Sequence, residues 1–241
     1  MTEPLRVLRL DDSKDSAGDI PPGHRASEIA DALLSAGTGR SVATTSRRPW
    51  PAPAFPDVLD RWLDSYQPDI VLFVISWYWT EWETVASRLQ RYGVVGKAIG
   101  EIGGRASEAD VIRTSWAFRQ MRKLALNTIG GDPNFEPYAL LATLQEAIRR
   151  AAQREDVVVA VASNPYASAL DHGPRGKARA AARRAIIERG IRETCDRLRI
   201  PAVLPAQVPA AYHPSTYGPD RLHFSPRSHR IIGKLEGQAM V

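Results

Sequence analysis

Several things are scarce in this chain, and each scarcity removes a class of function. There is one cysteine, Cys195, in 241 residues, so no internal disulfide framework exists. The longest apolar runs are of strand length, PDIVLFVIS (68–76) among them, far below the roughly 20 residues a membrane-spanning helix needs. The N-terminus enters LRVLRL almost at once, with no basic segment and long apolar stretch of a secretory leader. A soluble, cytoplasmic protein without a membrane partner is expected. Bases are in excess, at net charge +5, but never in a block; they alternate with acids, as in RRAIIERGIRETCDRLR. A nucleic-acid binder carries a basic stripe or run, so no nucleic-acid partner is expected. The five histidines lack partners at zinc-ligand spacing. Neither a G-x-G-x-x-G turn nor a phosphate-binding P-loop occurs. No metal and no cofactor are expected.

What is present is an ordinary globular composition, 44% hydrophobic and 24% charged, with no repeats and no linker. One domain over 1–241 is expected. LRVLRL (5–10) reads as a strand, and SEIADALLSAG (27–37) as a helix capped by Ser27 and closed near Gly37 or Gly39. RSVATT (40–45) is the next strand. The four prolines of 47–56 demand a loop, after which DVLDRWLDSY is helical. PDIVLFVIS and DVVVAVAS (156–163) are unbroken apolar runs of the kind found in strands covered on both faces. Helical spacing marks EWETVASRLQRYG, the stretch around WAFRQMRKLAL, PYALLATLQEAIRRAAQRE, KARAAARRAIIERGIRETCDRLR and SHRIIGKLEGQAMV. IPAVLPA supplies a short last strand. Strands alternating with helices predict a three-layer α/β/α sandwich around a mostly parallel, five-stranded sheet. Ligands of such sheets bind at the carboxyl ends of the strands. Three loops leave strands there: Asp11-Asp12-Ser13, the 46–50 loop, and Ser76-Trp77-Tyr78-Trp79. They are expected to meet on one edge.

The acidic pair Asp11-Asp12 suits the metal site of a receiver domain. That chemistry also needs a phosphoacceptor aspartate after the third strand, and PDIVLFVIS ends in Ser76-Trp77. It needs a lysine after the last strand too, and IPAVLPAQVPA has none. Emphasis therefore moves from the acids to Ser13. A serine nucleophile requires a base within reach and an acid to orient that base. Asp220-x-x-His223, between a Pro/Gly-rich loop and the last helix, places both on one short turn.

On these residues the chain resembles the SGNH/GDSL hydrolases. LRLDDS is similar to their first block, a strand ending in G-D-S. ATTSRRPW falls at the second block, PDIVLFVISWYW at the third (P-D-x-V-x-x-x-x-G-x-N-D), and DRLHFSPRSHRIIG at the fifth (D-x-x-H-x-x-x-x-G). The resemblance implies a flavodoxin-like sandwich and a triad of Ser13, His223 and Asp220. It also implies an oxyanion hole drawn from Ser13, Ser46 and Tyr78, with Arg47, Trp50, Trp77 and Trp79 around a small-molecule ester. Asp11 stands where the family has glycine, Ser76 at the third-block glycine, and Tyr78 at its asparagine. The implied activity is ester hydrolysis of a small acyl or carbohydrate ester through an acyl-enzyme. Acyl transfer by the same groups, or ligand binding with little catalysis, are the alternatives. Oligomeric state is left open.

Overall fold

The apolar runs become the centre of a parallel sheet. The structure, a computed structural model, describes residues 3–11, 20–81, 83–85, 88, 116–164, 173–204 and 225–241. Among them, β1 (Leu5–Leu10), β2 (Val42–Arg47), β3 (Ile70–Ile75), β6 (Val158–Ser163) and β7 (Ala202–Val203) form one sheet. Its order is β2–β1–β3–β6–β7, and every pairing is parallel. All six residues of β3 are buried, as a strand with helices on both faces requires.

The described residues divide into two compact units. The first comprises Met1–Ser76, Tyr138–Tyr166 and Ile186–Val241; it contains the whole parallel sheet. Helices α1 (Ala26–Thr38) and α7 (Pro226–Met240) cover one face of that sheet. Leu5, Val7, Leu72, Val74, Ala160 and Ala162 meet Ala30, Leu34, Ala239 and Met240 in one buried cluster there. The other face belongs to α2 (Phe55–Tyr66), α5 (Pro137–Ala152) and the second half of α6 (Pro174–Leu198), as right-handed crossovers dictate. Arg150 on α5 bridges Asp57 and Asp60 on α2, and Gln145 on α5 donates to the Gly190 carbonyl and to Thr194 on α6.

Local chemistry sets the helix ends. The α1 N-terminus is tied by Glu28, which accepts from the Arg25 N–H at 3.0 Å; Gly39, at φ 68°, closes the other end by donating to the Ser35 carbonyl. Ser225 caps α7 and accepts from the Ser228 N–H, with Pro226 in the first turn where its missing N–H is harmless. Helices α1 and α7 lie side by side, running the same way. Their contact depends on glycine. A Cβ at Gly233 would stand 2.5 Å from the Ala26 carbonyl oxygen, and one at Gly237 would stand 2.9 Å from Leu33 Cβ.

The second unit comprises Trp77–Pro137 and Ala167–Ala185. It holds α3 (Tyr78–Glu81), α4 (Trp116–Thr128) and a small antiparallel pair, β4 (Glu83–Thr84) with β5 (Asp132–Pro133). Glu83 is fully buried here. Its carboxylate accepts from Arg179 at 2.7 and 3.0 Å and from Arg183 at 2.6 Å. Burial on its own would raise the Glu83 carboxyl; the hydrogen bonds from the two guanidiniums outweigh it and hold the group below its ordinary value.

Several boundaries correct the sequence reading: α1 is N-capped by Arg25, so Ser27 lies inside the helix, and α2 begins at Phe55, within the stretch expected to be loop. β2 runs to Arg47, two residues past the expected end, so Ser46 and Arg47 are strand residues and not part of the following loop. Glu83-Thr84, expected inside a helix, is a strand, because its partner 132–133 claims it.

Candidate active site

The carboxyl edge of the parallel sheet is reached first at Asp11. Its N–H donates to the Arg47 carbonyl at 2.9 Å, which extends the β1–β2 ladder by one residue. Asn164 does the same beyond β6, donating to the Ile75 carbonyl at 3.0 Å. The strand order places a topological switch point between β1 and β3, where the chain leaves neighbouring strands in opposite directions.

Ser13, Asp220 and His223 lie outside the described residues, as do Asp12 and Trp82. What is described is the frame that leads to them. β1 ends two residues before the segment with Ser13. α7 starts three residues after His223, and its first turns pack against the start of α1: His229 Nδ1 accepts from the Ala26 N–H at 3.2 Å. Since α1 runs back from the carboxyl edge, α7 also begins at that edge.

Asp11, where the resemblance implies glycine, is buried and ion-paired. Its carboxylate accepts from Arg9 Nη1. The same guanidinium makes a bidentate bond to Glu236 of α7, with Nη2 at 2.7 and 2.9 Å from the two oxygens and Nε at 3.2 Å from one. All three side chains are at most 5% exposed. Arg9 and Glu236 were missed by the sequence reading, yet each carries a signal. Arg9 has the parity of Leu5 and Val7 on β1, and Glu236 shares the α7 face of Ile232 and Met240. A charge at an inward position needs a partner.

Ser46 is exposed on β2, opposite Arg9, and accepts through its carbonyl from Arg47 Nη1. Arg47 projects to the other face. There it donates to the Tyr66 hydroxyl of α2 and sits 4.6 Å above that ring. Trp50 is 58% exposed. In the second unit Trp77 and Trp79 are buried, and their carbonyls accept from the Thr80 and Phe135 N–H groups. Tyr78 keeps about a third of its surface exposed and accepts through its carbonyl from Asn134. The three strand-end loops thus divide between the two units.

Among the described residues no group of three His, Cys, Asp or Glu side chains is placed to hold a metal. No helix among them is long and apolar enough to cross a membrane. A shallow cleft lined by Leu63, Gln67, Pro68 and Arg154 opens where β3 and β6 begin, at the edge opposite the switch point.

No protein-family description and no curated sequence matches the chain. Solved structures do. An α/β hydrolase enzyme, LAE5, from the metagenome of Lake Arreo in Spain superposes with a TM-score of 0.54 at 17% identity, covering 98% of this chain and 94% of its own. Axe2, an acetylxylan esterase from Geobacillus stearothermophilus, gives 0.53 at 13% identity over 98% and 94%. A protein described as a GDSL-like lipase from Parabacteroides merdae gives 0.51 at 10% over 100% and 97%. The chain has an SGNH/GDSL-type α/β/α fold, with a five-stranded parallel sheet and helices on both sides.

Proposed function

We propose that this protein is a serine ester hydrolase whose nucleophile is Ser13. One observation carries the reading: β1, which leads to Ser13, ends at the switch point, and α7, which follows Asp220 and His223, begins at the same edge of the same unit. The fold shared with esterases is consistent with it. His223 takes the proton from Ser13 Oγ as the oxygen attacks the ester carbonyl carbon. Asp220 orients the imidazole and stabilises its charged form. The Ser13 N–H meets the oxyanion, with Ser46 of the same unit as a further donor. Collapse of the tetrahedral intermediate breaks the ester C–O bond, and His223 returns the proton to the departing alcohol. Water, deprotonated by His223, then releases the acyl group as carboxylate; an acceptor alcohol in its place gives transfer. The substrate is a small acyl or carbohydrate ester, with Arg47, Trp50, Trp77 and Trp79 as the residues to test for its selectivity.

A second reading, a ligand-binding protein with little hydrolysis, is favoured by one feature: the family's glycine is here an ion-paired aspartate. A panel of p-nitrophenyl esters from acetyl to long chains separates the two. The hydrolase reading expects turnover that falls roughly 10³-fold or more in Ser13→Ala. Wild type and variant equal in rate, active or not, would remove Ser13 as nucleophile.

A further inference from the structure

Polar side chains at the carboxyl edge form a buried layer under α7. Asp11, Ser76 and Asn164 each stand one residue beyond β1, β3 and β6, and alternation puts them on the face that α1 and α7 cover. Arg9, His229 and Glu236 fill in from β1 and α7. None of the six is more than 3% exposed. Such a layer has weak claims as a stabiliser, since a buried ion network is commonly matched or bettered by apolar residues of the same volume. Arg9 follows Leu5 and Val7 on one face of β1 and pairs with Leu72 of β3, so its strand-side neighbours are apolar. What an arginine adds is direction. Its planar fork fixes Glu236 at two oxygens and leaves Nη1 for Asp11. Asp11 is in turn held by its main chain to Arg47.

We propose that Arg9 is a positioning residue: by bridging Asp11 and Glu236 it holds the strand end that leads to Ser13 against the helix that follows Asp220 and His223. The inference rests on the hydrolase reading, because the groups it positions are those of the acyl transfer. It also gives the departure at Asp11 a purpose. A glycine there would offer Arg9 no second carboxylate.

The test uses near-isosteric changes in the full chain: Asp11→Asn, Glu236→Gln, their combination, and Arg9→Lys, which keeps the charge and loses the fork. The readouts are kcat and KM for p-nitrophenyl acetate, Ser13 labelling by a p-nitrophenyl phosphonate, and Tm. The expected result is folded protein with kcat lower by roughly 10–10²-fold and KM within about twofold, the signature of misplaced reacting groups. The combined variant should fall little further than the worse single one, because the three residues act as a unit. Folded variants with wild-type kcat, or with only Tm lowered, overturn the inference and leave a structural bridge. Should the single variants fail to fold, the triple change Arg9→Met, Asp11→Asn, Glu236→Leu carries the same test; wild-type kcat there overturns it and a lowered kcat supports it. A wild type that hydrolyses no ester and takes no label overturns the hydrolase reading together with this one. An active wild type with unchanged variants overturns this one alone.

Discussion

Cys195 lies on α6, 1% exposed, and burial first, then the neighbouring Asp196 charge, push its thiol up to about 12. A thiolate is the reactive form, so the folded protein is expected to give no reaction with a disulfide reagent at pH 8 and one thiol per chain after denaturation. Rapid native labelling would contradict the burial. The sign on stability follows: with the folded value raised, the contribution is complete below about 9 and is lost as pH climbs toward 12. Glu83 shows the opposite sense. Its folded carboxyl titrates below the ordinary 4.5, so the stability it contributes is present above that value and is lost as pH falls through and below it. Glu83→Gln is expected to flatten the acid side of a Tm-against-pH curve. Glu83→Ala, which leaves two guanidiniums facing a void, should destabilise by about 3 kcal/mol; that is the low end for a broken buried pair, because Arg179 is a third exposed. Chemical denaturation at pH 7 measures it, and a loss under about 1 kcal/mol would mean solvent already screens the pair.

At the scale of elements, the α1–α7 contact is the most demanding. Gly233→Ala drives a methyl into the Ala26 main-chain carbonyl, which moves only if the helix moves. The expected loss is about 1–3 kcal/mol. Gly23→Ala meets nothing within 4 Å, and its effect comes from its φ of 79° alone. Equal melting of Gly233→Ala and wild type would show that the helices can separate freely. Elements were legible in the sequence in proportion to how local their cause is. β3 and β6 announced themselves because a strand buried on both faces is apolar at every step. The end of β2 did not, because edge-strand Ser46 and Arg47 look like loop residues until Arg9 and Leu10 pair with them. β4 carries helical spacing in its own sequence, because what makes it a strand, the 132–133 segment, is remote. Of the proposed site, the sequence names Ser13, Asp220 and His223, which lie outside the described residues. For the Arg9 bridge the sequence shows only a charge at an inward position, because the partner that completes it, Glu236, is 227 residues away.

For the whole molecule, the sheet order predicts where protection concentrates. Among the described residues, β1, β3 and β6 have neighbours on both sides, whereas β2 and β7 lie at the edges. Amide hydrogen exchange is expected to be slowest in Ile70–Ile75 and fastest among strands in Ala202–Val203. Edge amides as slow as those of β3 would argue against this order of stability. The bond between Arg9 and Glu236 has a further consequence, in time. During synthesis the first strand emerges long before the helix that covers it. At about 5–20 residues per second the wait is on the order of ten to forty seconds. Through that interval Arg9, Ala30 and Leu34 have no lid from this chain, and a nascent-chain chaperone that recognises bare apolar surface would find it there.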